Sequence, residues 1–167
     1  MTTRSETTVT INQPAQKVHQ ALTSEEFWAF DVANLSPEPG QVHEFVDTEG
    51  GAEATLFEVL PIDILPEAVR SMISQSLKVK RVVTVGALEG ESSDLDYTAD
   101  VKGTPVSYSG EATLTGSDAT TTISYENEVS VNIPFMGDAI EPKVSEALEE
   151  ILANEAKLIE QWIGDNL

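Results

Sequence analysis

Residues 138–163 read DAIEPKVSEALEEILANEAKLIEQWI. Ile140, Val144, Ala147, Leu148, Ile151, Leu158 and Trp162 recur at spacings of three and four, which places them on one side of an α-helix. Pro142 stands in the first turn of that helix, where a missing N–H costs little. About 25 residues rising about 1.5 Å each make a rod roughly 38 Å long. A helix with one apolar side must lay that side on something, and the preceding residues supply a sheet.

Ser93–Val101, Val106–Thr115 and Thr120–Ile133 alternate with period two. One parity carries Leu95, Tyr97, Ala99 and Val101; Val106, Tyr108, Gly110, Ala112 and Leu114; Ile123, Tyr125, Asn127, Val129, Val131 and Ile133. The other parity is polar, with Asp94, Asp96, Ser109, Glu111, Glu126 and Glu128 among its members. One face is therefore wet and the other covered, as antiparallel sheets allow. Upstream, strands are predicted at Glu6–Ile11, Gln41–Asp47, Ala52–Leu60 and Leu77–Leu88, with the Thr48–Gly51 turn supplying glycines for a hairpin. Pro14 opens one short helix and Ser24, a good N-cap, a second. Leu65, Val69, Met72 and Ile73 have helical spacing and predict a further short helix within Pro61–Ser76, a mobile rim. Six or seven strands about 4.8 Å apart are as wide as the C-terminal rod is long. The expected fold is α+β over residues 1–167 as a single domain. In it a curved antiparallel sheet of six to seven strands carries the long C-terminal helix across its concave face, with two short helices after the first strand.

The chain has 29 acidic and 9 basic residues, for a net charge of −20. Such a polyanion repels phosphate backbones and anionic membrane surfaces, which argues against nucleic-acid binding. No apolar run approaches the roughly 20 residues that span a bilayer, and the first residues lack an apolar leader, so no membrane insertion and a cytoplasmic location are expected. With no cysteine there is no disulfide, thiolate metal site or cysteine nucleophile. Asp94, Asp96 and Asp100 resemble part of a calcium loop, but Ala99 stands where that loop needs glycine, and the strand alternation explains these acids as a solvent face. His19 and His43 have no partner pattern and read as structural or surface residues. No cofactor, metal ligand set or catalytic residue is assigned.

The informative residues are polar ones of the covered parity. Turns centred on Gly103-Thr104 and Ser117-Asp118 would set Tyr97 opposite Gly110, Gly110 opposite Tyr125, Ala99 opposite Tyr108 and Tyr108 opposite Asn127. Three phenols and an amide then point at the helix. On the helix, Glu155 lies within about 20° of Leu148 and Trp162 at about 100° per residue. A carboxylate inside an apolar stripe should have its pKa raised by desolvation. Two arrangements satisfy this pattern. One is a packed core whose hydroxyls reach the rim. The other is a cavity lined by Tyr97, Tyr108, Tyr125, Asn127, Ile151 and Glu155, with Met72 on the rim.

The order of elements, with the opening Val9-Thr10-Ile11-Asn12-Gln13-Pro14-Ala15 running on to Ala21-Leu22-Thr23, resembles the START-like, or helix-grip, superfamily (SRPBCC type). That group includes lipid-transfer domains, plant allergen-type ligand carriers and polyketide cyclases. More narrowly, Ala153-Asn154-Glu155-Ala156 followed by Trp162 is similar to an actinobacterial START-like family without an assigned function. The resemblance covers nearly the whole chain and implies a pocket for an apolar or amphiphilic small molecule between sheet and helix. It carries over no catalytic motif. Non-catalytic ligand binding is the first expectation. A cyclase- or hydrolase-like enzyme using Glu155 with a tyrosine partner, or an acidic protein-interaction module, are the alternatives. Ligand identity and oligomeric state are not legible.

Overall fold

The computed structural model describes residues 2–35, 39–60, 67, 77–102, 104–132 and 137–167. The predicted helix within residues 61–76, and Met72 with it, lie outside the described residues. Strand β1 (Thr2–Ile11) leads through Pro14 into α1 (Ala15–Leu22) and α2 (Glu25–Asn34). Strands β2 (Gln41–Asp47), β3 (Ala52–Leu60), β4 (Leu77–Val85), β5 (Ser92–Val101), β6 (Val106–Gly116) and β7 (Thr121–Val131) follow, and the chain closes on α3 (Gly137–Asn166). The strands form one seven-stranded antiparallel sheet in the order β1-β7-β6-β5-β4-β3-β2. This is the expected α+β helix-grip arrangement. No helix among the described residues is long and apolar enough to cross a membrane.

The alternation works as read in β5–β7. Leu95, Ala112 and Ile123 are buried, while Asp96 and Glu126 are exposed and Ser109 is half-buried. Tyr97 pairs with Gly110 and Ala99 with Tyr108, as the first turn requires. The second hairpin differs by two residues: Gly110 faces Asn127, Ala112 faces Tyr125 and Tyr108 faces Val129. The physical reason is the turn. The Ser117 hydroxyl accepts the backbone N–H of Ala119 and of Thr120, and the Ser117 N–H donates to Thr120 O at 2.8 Å, so the chain reverses around Asp118-Ala119. A shift of two keeps every side chain on its face, which is why parity alone did not reveal it. In β2 a bulge between Val42 and Glu44 lets Val42 and Phe45 both pack on the core and leaves His43 outside. Ser24 stands at the N-cap of α2 with extended backbone, but its side chain makes no capping hydrogen bond.

Helix α3 does not cover the sheet alone. It packs on β1, β7, α1 and α2, while α2 covers β2 and β3. Its buried side centres on Leu148, Leu152, Glu155, Ala156, Ile159 and Ile163, a slightly rotated stripe that leaves Ala147, Ile151 and Leu158 half-buried at its border. The start of α3 is tied to the sheet edge. Glu141 accepts from the Thr3 hydroxyl at 2.9 Å and from the Val131 N–H at 3.1 Å, and Ser145 shares a hydrogen bond with Ser5. Where α2, α3, β3 and β4 converge, the core stops being apolar.

Candidate functional site

The inward parity of β4 is Val79, Arg81, Val83 and Val85, and that of β3 is Ala52, Ala54, Leu56 and Glu58, all buried. Two strands built to present apolar residues to the helices thus each present one charge. On α2, Phe27, Trp28, Asp31 and Val32 form the buried side, so a carboxylate enters from a third element. Glu155 on α3 completes the set. Asp31, Glu58 and Glu155 are 0%, 3% and 5% exposed and Arg81 is 4% exposed.

One nitrogen organises the group. Arg81 Nη2 lies 2.5 Å from Glu155 Oε2, 2.7 Å from Glu58 Oε1 and 3.2 Å from Asp31 Oδ2. Its two N–H groups are donated to Glu155 and Asp31. Glu58 is close enough for charge attraction, but among the described residues no N–H is aligned with it, and Glu58 Oε1, Asp31 Oδ1 and Arg81 Nε have no hydrogen-bond partner there. The guanidinium also faces the Trp28 ring at 5.7 Å, and the Trp28 indole N–H donates to Leu22 O at 2.8 Å. The three carboxylates are near enough to one another to hold a metal ion, and the guanidinium occupies the place a cation would take.

Three acids cannot all ionise around one buried cation. Burial, then the nearby Glu155 charge, pushes Asp31 well above the usual carboxylate range, and the Arg81 charge only partly offsets this. Burial likewise raises Glu58 against the pull of Arg81. For Glu155 burial also acts upward, but the Arg81 charge and hydrogen bonds from Arg81 and Asp31 outweigh it and hold Glu155 below its ordinary value. This corrects the expectation of a raised Glu155: that expectation rested on burial alone and lacked the guanidinium. Burial works against the Arg81 charge, yet the three acids together push its pKa up. The two shifts run in opposite directions, Asp31 toward its neutral form and Glu155 toward its ionised form.

The residues singled out from the sequence surround this centre unevenly. Tyr97, Tyr108 and Tyr125 are buried, with the Tyr108 and Tyr125 rings edge-on to Tyr97 at 6.2 and 6.4 Å. Burial raises all three phenol pKa values. The Tyr97 hydroxyl donates to Asn127 Oδ1 at 2.6 Å, and Asn127 Nδ2 donates to Thr7 Oγ1 at 3.1 Å. Gly110 makes that reach possible, since a Cβ there would lie 2.6 Å from Tyr97 Cε1 and 2.9 Å from Asn127 Oδ1. The glycine thus gives Tyr97 a path across the sheet. Ile151 is half-buried and stands at the border of the site. His19 Nε2 bonds Gly86 O at 2.8 Å and exposed His43 stacks on Phe57.

Between Arg81, Glu155, Trp28, Tyr97, Tyr125 and Leu152 the described residues leave a void of about 20 Å³, room for one water. The broad groove, about 880 Å³, lies on the other, wet face among Arg4, Glu6, Glu111, Glu126 and Glu128. Arg81, Asp31 and Glu58 were missed in the sequence although each left a signal: a charge at an apolar-parity or core-facing helical position.

The chain is similar in structure to a conserved protein from Geobacillus kaustophilus at 11% identity, with a TM-score of 0.64 over 98% of this chain and 96% of that one. It is likewise similar to Ara h 8.0201 at 14% identity, with a TM-score of 0.58 over 99% and 100%. The di-domain ARO/CYC StfQ from the steffimycin biosynthetic pathway matches at 10% identity and a TM-score of 0.61, over 99% of this chain and 52% of that one. At these identities the likeness establishes the helix-grip fold and nothing finer. No curated protein matches the chain. Residues 6–163 match the family model described as "protein of unknown function (DUF2505)", and the chain belongs to that family.

Proposed function

We propose that this protein binds an apolar or amphiphilic small molecule between the sheet and α3, without catalysis. The carrying observation is the Arg81 centre: three buried carboxyls, one guanidinium and three polar atoms without partners, set beside apolar and aromatic walls. Unpartnered buried polar atoms cost stability, and a fold keeps them where they serve a ligand. A ligand's polar end would meet this centre, and its apolar body would lie along Leu22, Trp28 and Leu152 in place of side chains that now close the space. Similarity to Ara h 8.0201 and to the di-domain ARO/CYC StfQ is consistent with ligand handling in this fold. Native mass spectrometry of the purified protein, before and after organic extraction, tests it. An extractable amphiphile that rebinds is the expected result. A protein that carries none and takes up no amphiphile from a panel of matched chain length sinks the reading.

One observation favours an enzyme as the second reading. Asp31 and Glu155 lie side by side with pKa values pushed apart, an acid next to a base. Chemical change of the extracted compound on return to the protein, lost in Glu155→Gln, would select it.

A further inference from the structure

The buried centre also carries information about the ligand's charge, and the inference rests on the small-molecule reading above. We propose that the polar end of the ligand is a cation, an alkyl- or arylammonium, held by Asp31 and Glu58 beside the Arg81–Glu155 pair. Three carboxyls share a single guanidinium, so the site's unmet need is for positive charge and N–H donors. Two of the three unpartnered atoms, Asp31 Oδ1 and Glu58 Oε1, are acceptors on side chains that are 0% and 3% exposed. The two N–H groups of Arg81 Nη2 are given to Glu155 and to Asp31 Oδ2, and among the described residues no Arg81 N–H is aligned with Asp31 Oδ1 or Glu58 Oε1. An ammonium brings three donors and one positive charge, which fits two acceptors and the surplus of acid. A carboxylate or phosphate end would meet the Glu155 charge and would add acceptors where acceptors already lack donors. A hydroxyl could serve one acceptor and would leave the charge unchanged. Aromatic faces complete the fit, since the Trp28 ring already faces a guanidinium at 5.7 Å and Tyr97 and Tyr125 line the adjoining void.

Proton balance follows from the same groups. The charged and titratable side chains meeting here are Asp31 from α2, Glu58 from β3, Arg81 from β4 and Glu155 from α3, with Tyr97, Tyr108 and Tyr125 from β5, β6 and β7. The tyrosines stay neutral. Burial, then the Glu155 charge, raises the Asp31 pKa, so an ammonium beside this carboxyl would act against that shift and favour release of a proton to solvent.

The test is binding of dodecylamine, dodecanol and dodecanoate, three probes of equal chain length, below their micelle-forming concentrations and in moderate salt. Wild type should take the amine about tenfold or more tighter than the alcohol, the worth of a charge-assisted hydrogen bond, and dodecanoate weakest. In the doubly substituted Asp31→Asn, Glu58→Gln protein, whose amides imitate neutral acids and whose folding is checked by circular dichroism, the ratio of amine to alcohol affinity should fall to about one. The exposed-face control Glu126→Gln should keep it. Equal binding of all three probes by wild type overturns the cation inference and leaves amphiphile binding standing. An amine preference that survives the double substitution also overturns it, because attraction to the acidic surface would then explain the result. Failure of every probe removes both readings.

Discussion

The two faces of the sheet hold the same residue type in opposite circumstances. On the wet face Glu6 opposes Glu126, Glu126 opposes Glu111 and Glu111 opposes Asp96, a row of four exposed carboxylates across β1, β7, β6 and β5. Like charges directly opposite in a sheet repel, and water and salt weaken the repulsion. On the covered face three carboxyls converge on Arg81 with almost no exposure. There the same repulsion is met by a guanidinium, and burial pushes Asp31 and Glu58 toward their neutral forms. A formal charge of −20 counts both sets alike, although one lies in solvent and the other shares a buried guanidinium. What an acid does in this chain is decided by its face.

The sharpest way to break the comparison is Arg81→Met. The substitution keeps the volume apolar and strips the inner carboxyls of their counter-charge, so urea unfolding at neutral pH should record a loss of about 3–5 kcal/mol. The loss should shrink toward about pH 4, where carboxyls accept protons and need no partner. A small and pH-independent loss would mean that the inner acids behave like the outer ones.

Next in size is the pH dependence of wild type against Asp31→Asn. Asp31 and Glu58 are raised in the folded state, so the stability they contribute falls as pH rises from the ordinary carboxylate range toward their folded values. Glu155 is lowered and acts in reverse: its contribution is present above the unfolded value and is lost as pH falls through the folded one. Asparagine keeps a donor for Glu155 and has no proton to give up. The stability of Asp31→Asn relative to wild type should therefore climb steadily with pH in urea unfolding between about pH 4 and about pH 8. Parallel curves would place Asp31 among ordinary ionised acids.

The smallest effect belongs to the outer row. Glu126 opposes both Glu6 and Glu111, and Glu126→Gln should stabilise the fold by about 0.5 kcal/mol at low salt. The gain should disappear in about 1 M salt, where screening acts within about 3 Å. A gain that persisted in high salt would point to something other than charge.

Much of the fold was legible because it depends on local periodicity. The spacing of Ile140, Val144 and Leu148 identified α3, and the parity of Leu95–Val101 and Ile123–Val131 identified the covered face, without knowledge of any neighbour. The first hairpin register was legible from its turn, whereas the second slipped by two because the Ser117 hydroxyl places the reversal one residue later. Of the candidate site, Tyr97, Asn127 and Glu155 were found by asking which polar residues share a parity with apolar ones. The same question put to β3 and β4 would have found Glu58 and Arg81, whose strands have buried inward parities interrupted by one charge.

The sequence by itself determined which residues face inward, since side-chain direction repeats every two residues in a strand and about every 3.6 in a helix. It could not determine that Asp31, Glu58, Arg81 and Glu155 meet, for they lie on four elements and no periodicity relates one element to another. Their meeting follows from α2 covering β2 and β3 while α3 rests on β1 and β7, which brings the two helices together above β4. The direction of the Glu155 shift was decided there too. Burial was readable from the stripe, but the guanidinium 2.5 Å away, which reverses the effect of burial, exists for Glu155 only in the folded chain.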